Sequence, residues 1–212
     1  MNKVSLIDAI NKRRLLSVVA ATVLSATSVS AQPSITYTPS LLDSNVTSVI
    51  GNNGTGGYQF FGGNSGVVSI GASTKAIISW DKLGVKADDT LTFTTTSGSS
   101  AIYLNKVTGI EGSTINGGLN ANTAGSAIII VNPNGINLGG DFALNTNISD
   151  FAVSTQATSI TTPADFNNMA DIESSFSQSG SNGITYDNSS AVTGFAGNLY
   201  LYSSGTLTDS NG

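Results

Sequence analysis

From Gln32 onward the chain alternates short β-prone runs with clusters of Gly, Asn and Ser. The runs predict strands at Ile35–Thr38, Tyr58–Phe61, Val67–Ile70, Ala76–Trp80, Leu91–Thr95 and Ala101–Leu104, and again at Ala127–Val131, Phe142–Asn145, Phe151–Ser154 and Leu199–Tyr202. Several alternate strictly: in Leu91-Thr92-Phe93-Thr94 the Leu and Phe share one face and the Thr residues the other. Breakers such as Gly51-Asn52-Asn53-Gly54, Gly117-Gly118 and Gly139-Gly140 separate them. The segment from Gly197 to Leu207 reads as strand, bend, strand, like one edge of a coil.

One stretch departs from this pattern. Between Thr162 and Phe176 the apolar residues Phe166, Met169, Ile172 and Phe176 recur at three- and four-residue steps. Thr162 suits an N-cap and Pro163 the first helical position. The spacing predicts one short helix over 163–176, laid against a flank of an otherwise β structure, its stripe serving as core.

Many short strands admit a sandwich, a barrel or a solenoid. Turns dominated by Ser, Thr, Asn and Gly, and strands without tight hairpin signals between them, favour an all-β solenoid, with a β-sandwich as the alternative. The sharpest local signal is Asn132-Pro133-Asn134-Gly135. Asn at the first position, Pro at the second and Gly at the fourth are the preferences of a type I turn. The Asn132 side chain can accept from backbone N–H groups two residues on. The turn follows Ala127-Ile128-Ile129-Ile130-Val131, a run that suits a strand buried on both faces, and precedes the alternating Ile136-Asn137-Leu138.

Charge is unevenly placed. Lys3, Lys12, Arg13 and Arg14 precede an apolar run from Leu15 to Ala26, and small residues lead to Ala31. This is the layout of a secretory signal peptide cleaved after Ala31, with an apolar run shorter than the ~20 residues of a membrane span. Sec export follows as the expectation, leaving residues 32–212 as the folding unit. Without residues 1–31 the chain keeps four Lys (Lys75, Lys82, Lys86 and Lys106), no Arg and twelve acids, so formal net charge moves from −5 to −8. Such a chain lacks the basic footprint that binding to nucleic acid or an anionic membrane requires.

The chain has no Cys and no His. That removes imidazole bases, thiol nucleophiles and thiolate or imidazole metal sites. An exported protein free of disulfides also suits a chain that crosses a second membrane extended. Candidate catalytic acids are Asp88-Asp89 and the pair Asp171 and Glu173. Acids in adjacent or helix-surface positions are ordinarily solvated, and no Arg is available as a partner base. No cofactor is implied.

Several blocks occur together in order. Ile77-Ile78-Ser79-Trp80-Asp81-Lys82-Leu83-Gly84-Val85 is followed by Leu91-Thr92-Phe93, then by Ala101-Ile102-Tyr103-Leu104-Asn105-Lys106-Val107-Thr108-Gly109. Ser113 to Asn122, Val131-Asn132-Pro133-Asn134-Gly135-Ile136 and Phe151-Ala152-Val153-Ser154-Thr155 complete the series. This series resembles the filamentous-haemagglutinin type domain of two-partner secretion (TPS). Lys106 stands where that family usually has Arg, and Leu83 where it has Phe.

The resemblance implies a right-handed parallel β-helix with extra short strands, on an N-terminal secretion domain of a TpsA-like exoprotein. Its partner would be a TpsB-type outer-membrane transporter, whose periplasmic POTRA modules recognise the domain before the chain folds at the cell surface. Asn105, Val107, Thr108 and Gly109, together with Asn132, Pro133, Asn134 and Gly135, would be the family signature positions. None of the four side chains of the Asn132–Gly135 block has acid–base chemistry, so they are expected to shape a corner of the β-helix. The alternative is that extended chain there pairs with a POTRA strand.

At roughly 20–25 residues per coil, residues 32–212 would give about eight coils, a secretion domain with its passenger absent or truncated. Alternative readings are a stand-alone β-helix adhesin, an autotransporter passenger fragment or, less in keeping with the composition, a polysaccharide-processing β-helix enzyme. For the exoprotein as a whole, the expectation that goes with the resemblance is an adhesin or haemagglutinin-like protein.

Overall fold

The computed structural model describes residues 45–60, 65–187 and 195–210. The expected signal peptide and the expected strand at Ile35–Thr38 lie outside them. Eighteen strands occur among the described residues, most belonging to three sheets that wrap around one core.

The chain visits the three sheets in rotation. Strands β1 (Asn45–Gly51), β2 (Gly54–Thr55) and β3 (Gly57–Phe60) form an antiparallel start. The coils then run through β4 (Ser65–Ser69), β5 (Lys75–Lys82), β6 (Thr90–Thr94), β7 (Ile102–Val107), β8 (Ser113–Ile115) and β9 (Gly118–Ala121). They continue through β10 (Ser126–Val131), β11 (Ile136–Leu138), β12 (Ala143–Leu144) and β13 (Ile148–Ser154). After an excursion carrying β14 (Ala157–Thr158), α1 (Met169–Ser174) and β15 (Phe176–Ser177), the coil resumes with β16 (Ile184–Tyr186), β17 (Asn198–Tyr202) and β18 (Leu207–Asp209).

Within each sheet the coils pair in parallel. On the longest face the order is β17-β13-β10-β7-β5, with β1 and β2 added antiparallel. Lys75 pairs with Ile102, Ile102 with Ala127 and Ala127 with Asp150, steps of 27, 25 and 23 residues. The next step, from Asp150 to Asn198, is 48 residues. The molecule is a β-helix, and the extra length of the last step is the excursion. With five parallel strands on the long face, the stack is shorter than the eight coils expected from length. The N-terminal strands and the excursion take up the difference.

Alternation decides what fills the interior. Ala76, Tyr103, Ile128, Phe151 and Leu199 lie in register as one inward column of the long face. Ile78, Asn105, Ile130, Val153 and Leu201 form the next. Leu91 and Leu119 from the second sheet, and Ile115, Leu138 and Ile136 from the third, meet them. Phe93 packs on Tyr103 and Phe142 on Phe151, each with ring centroids 5.2 Å apart. Each buried Leu, Ile or Phe contributes on the order of 1.5–3 kcal/mol relative to exposure.

Many of the outward residues of the same strands are buried too. Ile77, Leu104, Ile129, Val131 and Ala152 form a second cluster with Ile160, Phe166, Ile172 and Phe176 of the excursion. This explains why Ala127–Val131 is apolar at every position: one face meets the interior and the other meets the excursion.

The one short flanking helix expected near 163–176 is present as α1, though shorter than the apolar stripe suggests. The stripe is buried as expected at Phe166, Ile172 and Phe176, but the backbone is α-helical over only part of it. A 3₁₀ turn spans Pro163–Asp165, Phe166 is extended, α1 covers Met169–Ser174, and Phe176 begins β15. Side-chain acceptors compete with helix hydrogen bonds here. Asp165 Oδ2 accepts from the N–H groups of Thr161 and Thr162, and Asp171 Oδ2 accepts from that of Asn167. Thr162 is the N-cap of the 3₁₀ turn, which Pro163 opens as expected, while Asn168 is the N-cap of α1, its Oδ1 accepting from Asp171 N–H at 3.1 Å.

Candidate functional site: the signature corner

The two signature blocks come together at one corner of the solenoid, where the long face turns into the β8–β11–β16 sheet. Asn105 sits in β7 and points inward with no exposed surface. It is the one polar side chain in a column otherwise made of Ile78, Ile130, Val153 and Leu201. A buried amide costs several kcal/mol unless it is paired, and Asn105 is paired across three coils. Its Oδ1 accepts from Trp80 Nε1 at 2.9 Å, and its Nδ2 donates to the carbonyls of Tyr103 at 3.2 Å and Ile129 at 3.1 Å.

The chain then leaves the sheet. Val107 is buried opposite Trp80, and the N–H and Oγ1 of Thr108 both donate to Trp80 O, at 2.8 and 3.1 Å. A Cβ on Gly109 would stand 2.1 Å from Asp81 O, so only glycine lets the two coils approach this closely.

One coil on, the second block rests on the first. Asn132 is fully buried. Its Nδ2 donates to Glu111 O and to Ser113 Oγ, both at 2.9 Å, while its Oδ1 accepts from Asn134 N–H at 2.9 Å. The last bond is the one the sequence predicts for an Asn opening a turn. Gly135 N–H closes the turn onto Asn132 O at 3.2 Å, and Gly135 has φ +112°, a conformation that side-chain-bearing residues rarely adopt. Asn134 Nδ2 reaches down to Gly109 O at 2.7 Å. The Pro133 carbonyl accepts from Asn182 Nδ2 at 2.8 Å, which carries the stack to the next coil.

The corner is therefore a ladder of side-chain amides, each bonded to the backbone of a neighbouring coil. Lys82 and Glu111 add an ion pair of 3.0 Å at its rim. Trp80, Ser113 and Thr155, which the sequence offered only as parts of the resembling blocks, complete the hydrogen bonds with Asn182, which sequence reasoning missed, and Thr155 Oγ1 donates to Asn182 O at 2.8 Å. The corner feeding the long face uses the same device: Asn122 exchanges two bonds with the backbone of Thr95, and Asn145 two with that of Ala121. The 23-residue interval between those two asparagines equals the step from Ala127 to Asp150 on the long face.

Of the candidate acids, Asp88 has φ +66° in a turn that leads into β6, Asp89 is buried rather than solvated as expected, and Asp171 Oδ2 accepts from Asn167 N–H within the excursion. Among the described residues no group of three or more carboxylates could hold a metal ion. Tyr103 and Tyr202 are held above the usual phenol range chiefly by burial.

The TPS secretion domain family model matches residues 43–206 of this chain. The chain belongs to that family. Residues Asn105–Gly109 and Asn132–Gly135 of this TPS secretion domain, and the excursion between β13 and β16, fall inside the matched span. Among solved structures, the crystal structure of the HMW1 secretion domain from Haemophilus influenzae is similar, with 22% identity and a TM-score of 0.48. The similarity covers 68% of this chain and 34% of that one. No curated protein matches.

Proposed function

We propose that this TPS domain is the N-terminal secretion domain of an adhesin-like two-partner secretion exoprotein. In this reading residues 1–31 are a Sec signal peptide removed after Ala31. Residues 32–212 reach the periplasm extended and engage the POTRA modules of a TpsB-type outer-membrane transporter. The β-helix then forms at the cell surface. The family match over residues 43–206 carries the proposal.

The corner geometry supports a particular division of labour. Asn105, Asn132, Asn134 and Gly135 spend their hydrogen-bonding groups on neighbouring coils, so in the folded state they have little left to offer a partner. Their role in secretion is to let the β-helix close once the chain emerges. Recognition by the transporter then belongs to the extended chain, whose backbone can add to a POTRA strand.

Binding of residues 32–212 to isolated POTRA modules tests this reading. Chain held unfolded in mild denaturant should bind, and natively folded chain should bind at least tenfold more weakly. Equal or tighter binding by the native β-helix would contradict it.

A further inference from the structure

The excursion between Thr155 and Asn182 is built as a separable strap. Its two ends are tied at the base by the 2.8 Å bond from Thr155 Oγ1 to Asn182 O. The coil therefore continues from β13 to β16 as though the 26 residues between Thr155 and Asn182, 156–181, were absent, in the manner of an oversized Ω-loop. Inside the strap the backbone bonds to itself. β14 and β15 pair only with each other, as a sheet apart from the three solenoid sheets, and Ser159 N–H donates to Ser175 O.

Side chains hold the strap to the solenoid. Lys75 Nζ, from β5, donates to Phe166 O at 2.8 Å and to Asn167 Oδ1 at 3.0 Å, and lies 5.7 Å from the centroid of the Phe166 ring. Lys106 Nζ, from β7, donates to Ile160 O at 2.6 Å. At the opposite end Phe176 packs on Tyr202 of β17, with ring centroids 5.0 Å apart, and Gln178 Nε2 donates to Ser204 O. One strap thus touches the first and the last parallel strand of the long face.

We propose that this strap is a latch that closes last, over a completed long face, and opens while the solenoid stays folded. Its binding surface does not exist until β5 and β17 are both in place. Closing it covers Ile77, Leu104, Ile129 and Ala152, an apolar strip that would otherwise face water. Lys75 and Lys106 set its position, because apolar contact alone would tolerate sliding along the strip. Because its strands pair only with each other, the strap can open as a cooperative unit of its own without breaking the solenoid's ladders.

Amide hydrogen exchange on the folded full chain tests the latch. In the double variant Lys75→Met, Lys106→Met, amides of residues 157–178 should exchange at least tenfold faster, while those of β7 and β10 stay within twofold of the parent. Unchanged strap exchange, or equal acceleration of strap and strands, would overturn the proposal. Should that variant not fold, the parent chain in rising sub-denaturing urea separates the same outcomes. The strap should open at concentrations where β7 and β10 remain protected, and a single joint opening would refute it. During refolding, pulse labelling should protect β17 before the strap; the reverse order would also overturn it.

Discussion

The signature corner and the strap hold chain to chain in opposite ways. At the corner, buried amides of Asn105 and Asn132 bond to the backbone of adjoining coils, and sliding one coil by a residue would break several bonds at once. The strap lies on its strands through apolar contact and two lysine ammonium groups, with its backbone bonded internally. The corner fixes register, and the strap reads whether register has been achieved. A buried polar network is costly if half-satisfied and specific when complete, whereas an apolar face is adhesive and less particular.

The largest effect should come from breaking the corner without changing its shape. Asn132→Asp is nearly isosteric but sets a carboxylate oxygen against Glu111 O, which offers no proton. It should cost about 3–5 kcal/mol, as expected of an uncompensated buried charge, read by urea unfolding. A loss below ~1 kcal/mol would remove the corner's claim to specify register.

Next comes the Trp80–Asn105 pair. Asn105→Leu alone leaves Trp80 Nε1 without this acceptor and should cost about 1–3 kcal/mol. Adding Trp80→Phe should recover part of that loss relative to the sum of the two single changes, because both halves of the bond are then gone. Additive behaviour in this double-mutant cycle would show that the 2.9 Å bond is incidental.

The smallest effect belongs to the strap. Hydrogen bonds from the backbone at Thr161 and Thr162 hold the exposed Asp165 carboxyl well down, at about 2. A depressed carboxylate contributes stability above its unfolded value near ~4 and loses it as pH falls toward the folded value. Strap amides should therefore lose protection between about pH 4 and pH 2, with the corner unaffected at first. Asp165→Asn should abolish that step. A titration midpoint for Asp165 near its ordinary value would contradict the assignment.

The same contrast governs what the sequence made visible. The corner was legible because turn chemistry is local: Asn132-Pro133-Asn134-Gly135 specifies its own turn, and the run Ala127–Val131 announces burial on both faces. What covers the outer face was hidden, since the partners of Ile129 lie some 30 to 50 residues away. The apolar stripe at Phe166, Ile172 and Phe176 was real, yet the helix over it was overextended. Asp165, Asn168 and Asp171 divert the backbone into a turn, a cap and a short helix. The antiparallel start also carried a missed signal. Ile50 pairs with Thr55 and Gly51 with Gly54, so Asn52-Asn53 is a two-residue hairpin loop rather than a simple breaker.

The most direct measurement joins folding to secretion at Asn132. Asn132→Ala leaves Asn134 N–H, Glu111 O and Ser113 Oγ short of a partner, and should lower unfolding free energy by about 2–3 kcal/mol. In cells carrying the partner transporter, secretion should fall in step with that loss, while the unfolded variant binds POTRA modules as tightly as the parent. A variant that folds with parental stability yet no longer binds POTRA would contradict the account, and would make Asn132 a recognition residue.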